Sequence, residues 1–229
     1  MISRFGLVKR KTGLDDEAFL SHWRGTHGPL AARLPGLRSY YQHRIEDARQ
    51  FGVDHPRGGW DLDGFSELQF DSVGAMKAAI ASPEFAPTVE DVAKFLGEIR
   101  LVVCEKNVVV PLALGDGPFV KRMSILRRHP HVSSADFRRE WQERHAEFVR
   151  HWPNVLGYTQ NLVVDRYSAM AETAAYEAVP VDGIVEFWFR SKDDVAALFK
   201  SDLVARTQEH AHSFIAEITT YFVETVQIA

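Results

Sequence analysis

Trp23 and His27 lie four residues apart, as do Trp141 and His145, and the two pairs are separated by one interval, 141 − 23 = 145 − 27 = 118. At the same offset Phe19 matches Phe137, Pro35 matches Pro153, Tyr40 matches Tyr158 and Gln42 matches Gln160. Asp63-Gly64 matches Asp182-Gly183 with a slip of one residue, 182 − 63 = 119. A register kept over this span means that one module occurs twice, so the fold has to be built from two similar units.

The repeat divides the 229 residues into 1–110 and 119–229, joined by a linker from Pro111 to Pro118 that holds Gly115 and Gly117. With 45% hydrophobic and 25% charged residues the composition is that of an ordinary globular protein. A net charge of −4 argues against nucleic acid as a partner, which would call for a strongly basic face. The one cysteine, Cys104, excludes an internal disulfide and fits a reducing compartment. No stretch approaches the ~20 apolar residues that span a bilayer, and the first residues have no apolar core of a signal peptide. These features lead us to expect a soluble, cytoplasmic protein without membrane contact.

Each copy reads as strand, helix, strand, strand, helical segments, strand. Asp15 and Ser133 are natural N-caps for the first helices, because a short side-chain oxygen accepts from unpaired amides of the first turn. Leu14 and Val132 precede them at the spacing of a hydrophobic staple onto Phe19 and Phe137. The segments Gly64–Phe70 and Gly183–Phe189 alternate with period two, as strands do. Two long polar excursions, Glu46–Asp61 and Asp165–Pro180, exceed ordinary connections and are the kind of loop that carries function or mobility. The expected class is α+β: two ferredoxin-like βαββαβ repeats, forming a fused pseudo-dimeric α/β barrel in which the apolar sheet faces cover each other.

On a helix, Phe19, Trp23 and His27 fall close to one stripe and face the sheet. His27 is then either a buried histidine satisfied by a carbonyl or carboxylate, or the wall of a ligand cavity. Tyr40 and Gln42 share one strand face, as do Tyr158 and Gln160, so each copy could aim a phenol and an amide at one pocket. Glu67 and Glu186 alternate with apolar neighbours; a buried carboxylate could act as acid or base, or it could pair with a basic residue. Asp63 and Asp182 open their strands, either as turn residues or as pocket groups. His22 and His27 diverge on a helix, and neither His129-x-His131 nor His210-x-His212 is matched in the other copy, so no metal site is expected. No glycine-rich phosphate loop or nucleophile elbow is present, and no cofactor is expected.

His22-Trp23-Arg24-Gly25-Thr26-His27-Gly28-Pro29-Leu30, with Pro35-Gly36-Leu37, Tyr40 and Asp63-Gly64-Phe65-Ser66-Glu67-Leu68, resembles the signature of EthD-domain proteins in the dimeric α/β-barrel superfamily. The resemblance covers both halves, so the chain looks like a tandem EthD protein. It implies units that pair sheet to sheet and a small aromatic or lactone ligand bound between sheet and helices. It makes His27, Tyr40, Asp63 and Glu67 the catalytic candidates, with Trp23, Gln42, His43, His145, Tyr158, Gln160, Asp182 and Glu186 around the ligand. The second copy departs from the pattern: Gly28-Pro29 becomes Ala146-Glu147 and His43 becomes Asn161, which favours the first-copy site.

The leading expectation is a cofactor-independent enzyme of isomerase or dehydratase type, acting by histidine-mediated proton transfer on a small aromatic or lactone metabolite in catabolism or secondary metabolism. His27 would move the proton, Tyr40 would donate to an oxyanion, and Asp63 or Glu67 would orient the imidazole. One alternative is a non-catalytic protein that binds a small hydrophobic ligand or assists a degradation pathway. A second is a cofactor-free or haem-linked monooxygenase. The fused unit could pair again into a homodimer.

Overall fold

Each repeat begins with a strand, β1 (Ile2–Arg10) or β5 (Val120–Arg128), followed by a helix, α1 (Asp16–His22) or α5 (Ser134–Arg139). The two N-caps act as the sequence implies: the Asp15 side chain accepts from the Ala18 amide, and Ser133 from the Asp136 amide. The helices widen over Trp23–His27 and Glu140–His145 and finish as α2 (Gly28–Ala31) and α6 (Ala146–Arg150). β2 (Leu37–Asp47), β3 (Gly64–Phe70), α3 (Val73–Ile80), α4 (Ala86–Phe95) and β4 (Leu96–Val110) complete the first repeat. β6 (Gly157–Tyr167), β7 (Gly183–Phe189), α7 (Lys192–Leu198), α8 (Asp202–His212) and β8 (Ile215–Gln227) complete the second. This computed structural model describes residues 1–168 and 170–229; Ala169, inside the second long excursion, lies outside the described residues.

The sheets have the order β4-β1-β3-β2 and β8-β5-β7-β6, all antiparallel, and they join at both edges into one closed eight-stranded barrel. β2 pairs with β8 from Tyr41↔Gln227 to Asp47↔Phe222, and β4 pairs with β6 from Leu101↔Tyr167 to Val110↔Tyr158. The two copies therefore do more than stack face to face. They share backbone hydrogen bonds, and among the described residues closure leaves no free edge to this sheet.

Strand alternation sends one set of side chains into the barrel and the other toward the helices. Inside, Phe5, Leu7, Phe65, Val102 and Cys104 of the first repeat meet Met123, Ile125, Ile184, Tyr221 and Val223 of the second. Outside, Phe19 and Trp23 pack with Val8 and Phe95, and Phe137 and Trp141 pack with Leu126, Tyr158 and Phe214.

The two long excursions cross over. From the first, Phe51 lies edge-on to Phe222 at 4.8 Å, Pro56 accepts from the Ile218 amide, and the Asp54 amide donates to Gln208. From the second, Met170 packs against the first repeat's core and its carbonyl accepts from Arg4. Each repeat thus closes the helical layer of the other. Among the described residues no helix is long and apolar enough to cross a membrane.

Candidate functional site

Much of the repeated motif is explained by how the first helix docks on the sheet. Over Trp23–His27 the helix takes a wider turn, and the Gly28 amide donates to the Trp23 carbonyl five residues back. Such single wide turns leave a helix distorted and often mark functional sites. Gln42 donates from Nε2 to the same carbonyl at 2.8 Å and to the Tyr40 hydroxyl at 2.9 Å. Gln160 does the same to Trp141 and Tyr158, at 2.7 and 2.9 Å. The glycine of each Asp-Gly pair leaves room for the tryptophan: a Cβ on Gly64 would lie 2.7 Å from the Trp23 ring, and one on Gly183 would overlap Trp141. Asp63 accepts from the Arg10 amide, and Asp182 accepts from the Arg128 amide and guanidinium and from the Tyr176 hydroxyl. Trp23, Gln42, Gln160, Asp63 and Asp182 are therefore occupied in holding helix and strand ends together.

His27 lies on the helical side of the first sheet, with Nδ1 3.2 Å from Asp91 Oδ2 and its ring 5.0 Å from that of Phe95. Burial lowers its pKa, and this outweighs the pull of Asp91. His22 reaches the same carboxylate at 3.0 Å. The acid that orients His27 is thus Asp91, from α4. Neither Asp63 nor Glu67 does so, contrary to the expectation from sequence. Glu67 stands across the strand from Tyr41 and points into the barrel, whereas Tyr40 and Gln42 point to the helices. Tyr40 is completely buried, and burial pushes its phenol up to about 12.

The barrel interior gathers Glu67, His43 and Glu186 instead. Glu67 accepts from Ser3 at 2.8 Å, from Gln69 at 2.6 Å and from Lys106 at 3.2 Å, and lies 3.2 Å from His43 Nε2. Glu186 pairs with Lys121 at 2.6 Å and accepts from Asn161 at 2.8 Å. Burial alone would raise Glu67, but the hydrogen bond with His43 and the charges of Lys106 and Lys121 hold it well below the usual carboxylate range. His43 in turn is lowered, chiefly by burial. The Cys104 thiol is pushed up by burial and then by Glu67 and Glu186, which makes it an unreactive core group. Ligand atoms of His43, Glu67 and Glu186 come within 4.8 Å of one another, as do those of Asp54, His55 and His212. In the first set two lysines already balance the carboxylates. A cavity of about 600 Å³ at this barrel mouth is walled by Tyr41, Lys106, Phe119, Trp188 and linker residues such as Leu112 and Leu114. Its acids and bases satisfy one another, which is how a buried polar network behaves when it fixes structure.

The helical layer of the second repeat differs. Between sheet and helices lies a cavity of about 60 Å³ walled by Trp141, Trp152, Phe187 and Phe199, with His145, Tyr158, Arg122 and His55 among its lining groups. By the ~10–15 Å³ that one water requires, it has room for roughly four to six. His145 Nδ1 is 3.5 Å from His210 Nδ1, and its ring meets Phe214 at 5.7 Å. Phe214 matches Phe95 and His210 matches Asp91, 214 − 95 = 210 − 91 = 119, so a histidine has replaced the orienting acid. Burial, then the neighbouring His210 and His55, lower His145 to about 3. His55, from the first repeat's excursion, is lowered to about 4 by burial and then by His212, against the pull of the Asp54 carboxylate 3.3 Å from its Nδ1. Burial also keeps Tyr158 protonated, well above its ordinary range.

Sequence reasoning placed His145 and Tyr158 in a pocket but missed Arg122, His55, Asp91 and His210. A signal existed for Arg122: it matches Arg4, 122 − 4 = 118, an arginine repeated within an apolar strand. His55 carried none, because it arrives from the other repeat.

A model of the EthD domain matches the chain twice, over residues 11–98 and 129–217. No match is found among the curated proteins. Among solved structures, an anthrone oxidase-like protein is 13% identical, covering 100% of this chain and 93% of its own, with a TM-score of 0.64. A candidate monooxygenase from Lactobacillus acidophilus NCFM is 12% identical, covering 100% and 94%, with a TM-score of 0.55. An ethyl tert-butyl ether D (EthD) family protein from Bacillus halodurans C-125 is 27% identical over 46% of this chain and 97% of its own, with a TM-score of 0.37. At 13% and 12% identity the first two share the fold with this chain.

Proposed function

The chain belongs to the EthD domain family, and from this premise we propose that it is an acid–base enzyme acting on a small ring-bearing metabolite in the helical layer of its second repeat. The observation that carries the reading is one aromatic-walled cavity lined by an un-ionised imidazole, His145, and a phenol, Tyr158. Tyr158 accepts from Gln160, so its own proton is free to donate to an oxyanion as it develops. His145 and His210 face each other through Nδ1, one donating and the other accepting, and such a pair can pass a proton toward or away from a bound carbon acid. Isomerisation or dehydration of a lactone or aromatic metabolite needs no more than this proton movement. Solved relatives in fold include an anthrone oxidase-like protein and a candidate monooxygenase, which agrees with small-molecule enzymology in general but not with one reaction.

A second reading, binding without turnover, is favoured by His145 itself, because an imidazole held near pKa 3 is a weak base at neutral pH. Deuterium uptake separates the two. Incubating the protein in D₂O with small cyclic ketones and lactones, followed by NMR, should show solvent deuterium entering a carbon site in the wild type and not in His145→Gln. Ligands that bind and never exchange or react would leave only the binding reading.

A further inference from the structure

Arg122 is the most heavily buried cation beside the second-repeat cavity, with 2% of its surface exposed. Its Nε and Nη1 make no hydrogen bond. Nη2 makes only long contacts, to the Thr220 hydroxyl at 3.3 Å and the Gln50 carbonyl at 3.5 Å, and the guanidinium lies 4.4 Å from the centre of the Phe199 ring. Burial alone lowers it to about 9, with no acid to oppose the shift. No carboxylate is among the described residues lining the cavity; His55, His145 and Arg122 are the titratable groups there besides Tyr158. Arg122's chain neighbour shows the contrast. Lys121, on the barrel side, is paired with Glu186 at 2.6 Å.

A buried guanidinium without a counter-ion is costly, and each buried donor without a partner calls for an explanation. The first repeat meets part of the same demand in its own copy. Arg4, 3% exposed, donates from Nη2 to the Met170 carbonyl at 2.5 Å, although its Nε, like that of Arg122, makes no hydrogen bond. The corresponding excursion reaches Arg122 only through the Gln50 carbonyl at 3.5 Å and leaves both Nε and Nη1 open.

We infer that the second-repeat cavity takes a small ring carboxylic acid in its anionic form, with the carboxylate on Arg122 and the ring against the wall that Trp152, Phe187 and Phe199 form. A planar guanidinium fork matches a carboxylate in two parallel hydrogen bonds, and the apolar walls match a ring. This inference rests on the proposed function in using the same cavity, and it names the substrate class. An anion there would also favour the charged forms of His145 and His55, restoring basicity to His145 only when substrate is bound.

Calorimetry on the whole chain with benzoate, benzamide and acetate tests this. Benzoate should bind at least ten-fold more tightly than either of the others. Arg122→Met should abolish the preference for benzoate over benzamide while melting no lower than the wild type without ligand, since a methionine carries no unpaired charge. Equal binding of benzamide overturns the anion assignment and leaves the cavity as a ring site. Equal binding of acetate overturns the ring. Failure of all three overturns both this inference and the choice of cavity. An Arg122→Met protein that is markedly less stable and keeps the benzoate preference assigns Arg122 to structure and overturns the inference.

Discussion

His210 holds in the second repeat the position that Asp91 holds in the first, so the histidine it faces loses a carboxylate and gains an imidazole. His27 Nδ1 lies 3.2 Å from Asp91, and His145 Nδ1 lies 3.5 Å from His210. The exchange moves His145 away from the charged form. His210→Asp should therefore raise its pKa from about 3 toward, though not beyond, the ordinary value near 6.5, because burial still opposes the charge as it does for His27. Histidine-resolved NMR titration measures this; an unmoved His145 would show that His210 has no electrostatic hold on it.

Gly183 should not tolerate a methyl group. A Cβ there overlaps the Trp141 ring, as one on Gly64 would approach Trp23 and the His43 carbonyl, both at 2.7 Å. Gly183→Ala should cost about 1–3 kcal/mol in urea unfolding, the usual penalty for overpacking. Gly74→Ala, where the nearest atom would be the Ser72 hydroxyl at 3.7 Å, should be near neutral or stabilising within a helix.

Lys121→Met should behave opposite to Arg122→Met at the next residue. Without Lys121, Glu186, 1% exposed, keeps only Lys106 at 4.0 Å and Asn161 for company. Removing one partner of a buried pair costs about 3–5 kcal/mol because the other charge is stranded. Lys121→Met/Glu186→Leu should recover most of that loss. Chemical denaturation of the three proteins is the check, and a double variant no better than Lys121→Met would show that the pair is not the source.

Stability should fall on mild acidification. His55 and His145 have folded pKa values of about 4 and about 3, below the ~6.5 of an unfolded histidine. Between these limits the unfolded chain binds protons that the folded chain refuses. Their contribution is complete above pH ~6.5 and is lost as the pH drops toward 3, by at most about 1.4 kcal/mol per pH unit for each. Carboxylates such as Glu67 and Asp91, held below their ordinary range, add losses only near and below pH ~4. Unfolding free energies between pH 7 and 5 should therefore slope downward in the wild type and less so in His145→Gln.

The sequence alone determined the architecture. One module repeated at offsets of 118 and 119, with period-two strands and capped helices, admits few folds other than two ferredoxin-like units, because local propensity and patterning are properties of neighbours along the chain. It also identifies the residues that build the module, but not the contacts each of them makes. Gln42 and Gln160 look like pocket amides until the tryptophan carbonyls they cap are seen. Only the tertiary structure decided which face each group meets and which partners cross between repeats. The family resemblance groups Tyr40 and Glu67 in one site, but strand alternation puts them on opposite sides of the sheet. His55 reaches the second repeat through a crossing loop, and Arg122 is defined as a site by the absence of an acid around it. Such features depend on what lies nearby in space, and a sequence records distance only along the chain.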